Sequence, residues 1–183
     1  MKRKKFIQTS AVAGLGTAIL PKLAFSDIVF NKRIKIGVIG TGLSGQWVLW
    51  LAAKYPDIDI PAICDIDDDM IESALKILKD AQKPEPKVYK KGDEDFRNMV
   101  TNEELDGVYI ATPWEWHAEM ALAAMKAGKH VGTEVPAALT VDDCWDLVNT
   151  SEKTGKFCMI MENVCHRWDI IATLNMVRKG LFG

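Results

Sequence analysis

From Arg33 onward, short apolar runs alternate with segments whose apolar residues recur at helical spacing, and no other feature constrains the fold as much. Strands are predicted at 34–39, 58–65, 88–89, 107–111, 130–134 and 157–161. Helices are predicted over about 45–55, 68–79, from Asp93, over 117–127, over 140–154 and over 169–178. Gly128 and Gly155 stand as helix stops, and Thr140 can cap the helix it precedes, with Asp143 at the capping-box offset. The strands are apolar almost throughout, not at alternate positions only, so both of their faces must be covered. The expected class is therefore α/β, a doubly wound parallel sheet with helices on both faces. In such sheets ligands bind outside the carboxyl ends of the strands, which makes the residues after each strand the place to look for chemistry.

The first strand runs into Gly40-Thr41-Gly42-Leu43-Ser44-Gly45, a G-x-G-x-x-G pattern between a strand and a helix. Gly40 permits the tight turn, Gly42 allows backbone to approach a pyrophosphate, and Gly45 allows close helix packing, while the helix N-terminus favours negative charge. Asp65 ends the second strand 20 residues after Gly45. A carboxylate there accepts hydrogen bonds from an adenosine ribose and repels a 2′-phosphate, so the pair predicts a Rossmann-type domain that takes NAD.

Three further strand ends carry polar groups. Trp114, Glu115, Trp116 and His117 crowd the segment after the fourth strand, at a position facing the cofactor crevice. Tryptophan pairs also belong to cores, and His117 can serve as a helix cap. Glu134 follows the fifth strand and Glu162 and Asn163 the sixth; a solvated strand end and a turn residue are the plain alternatives. His166 and Arg167 are equally readable as functional or as surface groups. No G-x-S-x-G elbow, Walker lysine, H-E-x-x-H or aspartate-rich metal loop is present, so no metal site is expected. Cys64, Cys144, Cys158 and Cys165 include no C-x-x-C pair, and Cys64 and Cys158 fall in predicted strands, where buried free thiols are expected over a disulfide.

Residues 1–26 differ in kind from the rest. They carry five basic groups and no acid in a chain whose net charge is −2, a balance that offers no basic footprint for nucleic acid. Basic residues, an apolar run at 11–20 and small residues at Ala24 and Ser26 follow in the order of an export signal. The apolar run is too short for a stable membrane span. Arg3-Lys4-Lys5-Phe6-Ile7 is similar to a twin-arginine signal with lysine in place of the second arginine, so export to the periplasm is expected, with an ordinary Sec signal as the alternative.

From about Arg33 to its end the chain resembles the Gfo/Idh/MocA oxidoreductase superfamily. Many members carry Glu-Lys-Pro after the fifth strand, and here the triplet is Glu134-Val135-Pro136. That departure, together with Ala111-Thr-Pro-Trp-Glu-Trp-His117, Glu134-Val-Pro-Ala-Ala138 and Met161-Glu-Asn-Val-Cys165, looks like family 109 of the glycoside hydrolases. The resemblance implies an NAD-dependent α-N-acetylgalactosaminidase acting on a small glycan. Its cofactor contacts would fall on Leu43 and Ser44 besides the glycines, on Asp65, on Trp114 to His117, on Glu134 with Val135, and on Asn163. It also implies that the acid/base residues belong to a second, α+β domain absent from this chain, through which a homo-oligomer could form. The expected partition is an export signal at 1–26, a linker at 27–32, the NAD-binding domain at 33–165, and at 166–183 the start of the connection to that second domain. A sugar or polyol dehydrogenase of the wider superfamily is the alternative.

Overall fold

The computed structural model describes residues 33–182; the predicted export signal and linker lie outside them. Six strands form one sheet: β1 (Ile34–Ile39), β2 (Ile58–Cys64), β3 (Lys87–Tyr89), β4 (Gly107–Ile110), β5 (His130–Thr133) and β6 (Cys158–Ile160). Every pairing is parallel and the order is β3-β2-β1-β4-β5-β6, a doubly wound sheet whose direction of winding reverses between β1 and β4. The helices are α1 (Leu43–Ala52), α2 (Asp68–Asp80), α3 (Asp95–Asn102), α4 (Trp114–Lys126), α5 (Val141–Thr154) and α6 (Trp168–Arg178).

The strands are apolar on both sides because two separate cores lie against them. Val38, Ile63 and Tyr109 point to the face covered by Leu49 and Ala52 of α1 and by Ile71, Ala74 and Leu78 of α2. Ile39, Cys64 and Ile110, each a neighbour of one of those residues, point to the opposite face, against Phe96 and Met99 of α3, Ala121 and Met125 of α4 and Leu147 of α5. The larger of these side chains, the Val, Ile, Leu, Met and Phe, each contribute roughly 1.5–3 kcal/mol on burial. By contrast α6 has no buried residue, and the edge strand β6 leaves Met159 and Ile160 about half exposed.

Two helices begin earlier than the sequence pattern predicts, and both shifts move candidate residues. Gly42 adopts extended backbone and its carbonyl accepts the Gln46 N–H at 2.8 Å, so α1 starts at Leu43 and takes Gly45 into its first turn. Pro113, with φ −56°, occupies the cap of α4, and its carbonyl accepts the Trp116 N–H at 3.0 Å. Proline presets the dihedral that a helix start needs. The segment 114–117, of which only His117 was expected in the helix, is thus its first turn.

Candidate functional site

Strand register brings the candidate residues to one edge. Ile39 pairs with Cys64 and with Ile110, Ile110 with Thr133, and Thr133 with Ile160. Gly40, Asp65, Ala111, Glu134 and Met161 therefore leave the sheet at the same level, at its carboxyl edge.

The three glycines of the turn have three different structural reasons. Gly40 sits at φ +86°, where L side chains are strained, and a Cβ on it would lie 2.6 Å from the backbone of Ala111. A Cβ on Gly45 would lie 2.0 Å from the Gly40 carbonyl oxygen. A Cβ on Gly42 would meet nothing within 4 Å, so this glycine keeps open the space in front of the helix rather than relieving a clash. The first turn of α1 has neither a capping side chain nor an acidic residue. Its N–H groups are free to meet an anion in that space, as a pyrophosphate requires. Leu43, 91% exposed, and Ser44, also exposed, open this turn.

Asp65 is held by two turns. Its Oδ2 accepts the N–H of Thr41 at 2.5 Å and the Thr41 hydroxyl at 3.0 Å, and its Oδ1 accepts the N–H groups of Ile66 at 2.7 Å and Asp67 at 3.0 Å. Between this turn, the glycine turn, the Gly92–Asp93 loop and the start of α4 lies a crevice of about 350 Å³. That is near the lower end of the range for ligand pockets, the size of a nucleoside rather than of a whole dinucleotide. Asp65, Asp67 and Asp93 line it and no lysine or arginine does, a charge balance that suits the ribose of NAD and opposes a 2′-phosphate. Trp116 and Met70 form apolar walls, and Trp116 meets Phe96 edge-on with ring centroids 6.3 Å apart. Burial, then the charges of Asp95 and Asp65, push the Cys64 thiol up to about 12, so the crevice floor is an inert neutral group. A larger hollow of about 1010 Å³ runs along α2 among Glu72, Lys76 and Lys79; it contains none of the candidate residues and is a solvated groove.

The sequence-predicted residues divide into three groups. Gly40, Gly42, Asp65 and Trp116 line the crevice, and Gly45 supports it from behind. Trp114, Glu115, Val135 and Asn163 are exposed and lie outside its lining. Glu134, half-buried at the end of β5, accepts the Tyr109 hydroxyl at 2.5 Å. Burial, then that hydrogen bond, raise the Tyr109 phenol well above its ordinary range, which keeps it a neutral donor to Glu134.

His117 lies deeper than its place in the sequence suggests. Expected as a cofactor contact or cap, it is fully buried, and its ring nitrogens sit 2.8 Å from the Pro136 carbonyl and 2.7 Å from that of Thr112. Both ring nitrogens are thus engaged within the protein. The ring clasps the segment after β4 to the segment after β5, and so positions both. Met70, Gly92 and Asp93 line the crevice and were missed, as was Thr41, which lies fully buried behind the lining with its hydroxyl on Asp65. Thr41 alone carried a readable signal, a hydroxyl inside the glycine pattern. His166 is exposed, and Arg167 forks onto Asp169 at 2.7 and 3.1 Å, an exposed pair at the start of α6. Among the described residues there is no cluster of three or more potential metal ligands and no helix long and apolar enough to cross a membrane.

Known proteins share this fold. A family model described as the Gfo/Idh/MocA oxidoreductase family, NAD-binding Rossmann fold, matches residues 34–162. The chain is 45% identical to a glycosyl hydrolase family 109 protein of Parabacteroides distasonis, over 99% of this chain and 42% of that protein. It is 52% identical to the alpha-N-acetylgalactosaminidase of Tannerella forsythia, with the same coverage of 99% and 42%. It thus spans about two fifths of the length of these curated relatives. Among solved structures, an NAD-binding protein from Listeria innocua matches with a TM-score of 0.68 at 26% identity, over 81% of this chain and 41% of that one. Scyllo-inositol dehydrogenase from Lactobacillus casei, with bound NAD(H) and scyllo-inositol, matches with a TM-score of 0.70 at 22% identity, over 83% and 43%.

Proposed function

Because the chain belongs to the Gfo/Idh/MocA oxidoreductase family through its NAD-binding Rossmann domain, we propose that it is the cofactor-binding part of an NAD-dependent glycosidase that removes terminal α-N-acetylgalactosamine. The observation that carries this reading is 52% identity to the Tannerella enzyme over 99% of the chain. In the proposed reaction the sugar is oxidised at C3, the C2 proton is lost and the aglycone leaves by elimination, water adds, and the C3 ketone is reduced again. NAD, when bound, supplies the hydride acceptor and donor of this cycle, with no net redox change.

The chain's own residues supply binding and orientation. The N–H groups opening α1 and the open space at Gly42 suit the pyrophosphate, and Asp65 suits the adenosine ribose. His117 fixes the two segments that flank the crevice. Val135, exposed after Glu134, stands where the wider family carries its lysine, so no amine is available there to take a hydroxyl proton in an ordinary dehydrogenation. That substitution supports the glycosidase over a dehydrogenase, whereas the likeness to scyllo-inositol dehydrogenase shows the fold alone.

The test is release of nitrophenol from nitrophenyl α-N-acetylgalactosaminide by the gene product that carries this chain, with absorbance at 340 nm followed in parallel. Release without build-up of NADH is expected. Stoichiometric NADH from free sugars, with no release, would overturn the reading in favour of a dehydrogenase. The same proposal places the protein in the periplasm, supported by the basic and apolar order of residues 1–26. Cell fractionation that recovers it in the cytoplasm with its N-terminus intact would refute that part.

A further inference from the structure

Asp65 is the acceptor an adenosine ribose requires, yet it has no acceptor site left to give. A carboxylate offers about four lone-pair positions. Two on Oδ1 take the N–H groups of Ile66 and Asp67, and two on Oδ2 take the N–H and the hydroxyl of Thr41. Both ribose hydroxyls are donors in such a contact, so at least one existing donor must yield. Three of the four are backbone N–H groups fixed by the glycine turn and by the start of α2. Only the Thr41 hydroxyl can leave by rotating about its own bonds, at no cost to the backbone.

We propose that the Thr41 hydroxyl is a placeholder for the adenosine ribose, holding Asp65 Oδ2 until a ribose hydroxyl displaces it. Thr41 is fully buried between Gly40 and Gly42, so a displaced hydroxyl finds no water in exchange and the swap costs the hydrogen bond that Thr41 gives up. Its carbonyl is occupied separately, accepting the Gln46 Nε2 at 3.0 Å, which pins the backbone while the side chain exchanges. Thr41 therefore does two things. It keeps Asp65 aimed across the glycine turn, and it subtracts the worth of one hydrogen bond from the affinity for the ribose. The inference rests on NAD as the cofactor and is independent of the glycosidase reading.

Thr41→Val keeps the branched shape and removes the hydroxyl, freeing one acceptor site, whereas Thr41→Ser keeps the hydroxyl. The full chain, stripped of nucleotide, is titrated calorimetrically with NAD, with ADP-ribose, and with an ADP-ribose analogue whose adenosine lacks both ribose hydroxyls. Thr41→Val is expected to bind NAD and ADP-ribose about 2- to 10-fold more tightly than the wild type, the fold-change equivalent to one net hydrogen bond. Thr41→Ser is expected to match the wild type, and the gain of Thr41→Val is expected to vanish with the deoxy analogue. Equal or weaker NAD binding by Thr41→Val would overturn the proposal, since a hydroxyl that only orients Asp65 can only help. A gain that persists with the deoxy analogue would overturn it as well, because the ribose hydroxyls would then play no part.

Discussion

Replacing Gly42 with valine separates binding from folding, because of where its side chain would go. A Cβ at Gly42 meets nothing within 4 Å and the backbone, at φ −67°, is ordinary for an L residue. The cost to stability is the loss of a good cap residue, about 1 kcal/mol against a typical total of about 5–15 kcal/mol. The valine side chain would instead occupy the space in front of the α1 N–H groups. A hydrogen bond from such a group to a charged acceptor is worth roughly 1.5–3 kcal/mol. Displacing pyrophosphate from two of them costs about 3–6 kcal/mol, a loss of NAD affinity of at least about a hundredfold. Gly45→Ala makes the opposite case. Its Cβ would lie 2.0 Å from the Gly40 carbonyl oxygen and 2.9 Å from the carbon, both backbone atoms in a turn that has no room to retreat toward Ala111. A loss of about 3 kcal/mol or more is expected, on the order of 10 °C in melting temperature. Circular dichroism melts and calorimetric NAD titrations of both variants check the pair. Normal NAD binding by a folded Gly42→Val would refute the pyrophosphate site, and a Gly45→Ala chain as stable as the wild type would refute the packing argument.

The other expectations are simpler. His117→Phe removes the ring nitrogens that lie against the Thr112 and Pro136 carbonyls and should cost about 1–3 kcal/mol in urea unfolding; an unchanged unfolding midpoint would show that the clasp is dispensable. Asp95, buried at the start of α3, is held below its usual 3.8 by the Asn98 side chain and then by the Lys91 N–H. A carboxyl lowered in the folded state stabilises above the unfolded value and loses that contribution as pH falls through the folded one. Asp95→Asn should therefore flatten the fall in melting temperature from about pH 4 downward, and an unchanged acid limb would contradict the assignment. Cys144 and Cys165 are exposed, whereas burial raises the thiols of Cys64 and Cys158. Peptide mapping after native alkylation should find the first two modified and Cys64 untouched until the chain is unfolded.

The fold and the site were not equally legible, and the difference lies in the range of the interactions. The two-faced sheet could be read because apolar runs such as 34–39 and 58–64 state their own environment residue by residue. The glycine turn could be read because each glycine answers a local demand, made by Ala111, by the open space before α1, or by the Gly40 carbonyl. The segment 114–117 was misplaced because Pro113, not the apolar period, decides where α4 begins. With that start fixed, His117, Ala121 and Ala124 fall at i, i+4 and i+7 on one buried face, and the histidine is carried inward at the head of an alanine stripe. Helical phase, which the residue type does not announce, thus sets where the histidine lies.

The same contrast explains why the crevice is defined at β1, β2 and β4 and thins out toward β5 and β6. Gly40, Asp65, Thr112 and Trp116 are gathered there by parallel pairing at the point where the winding reverses, so their neighbours are set by register. Glu134 is drawn onto Tyr109, and Val135 and Asn163 stand exposed beside an edge strand that pairs on one side only. What register can fix is the adenosine half of the cofactor, and there Asp65 is contested by Thr41. On the proposed reading, the affinity for NAD depends on which donor the carboxylate holds as well as on its presence, which the sequence announces.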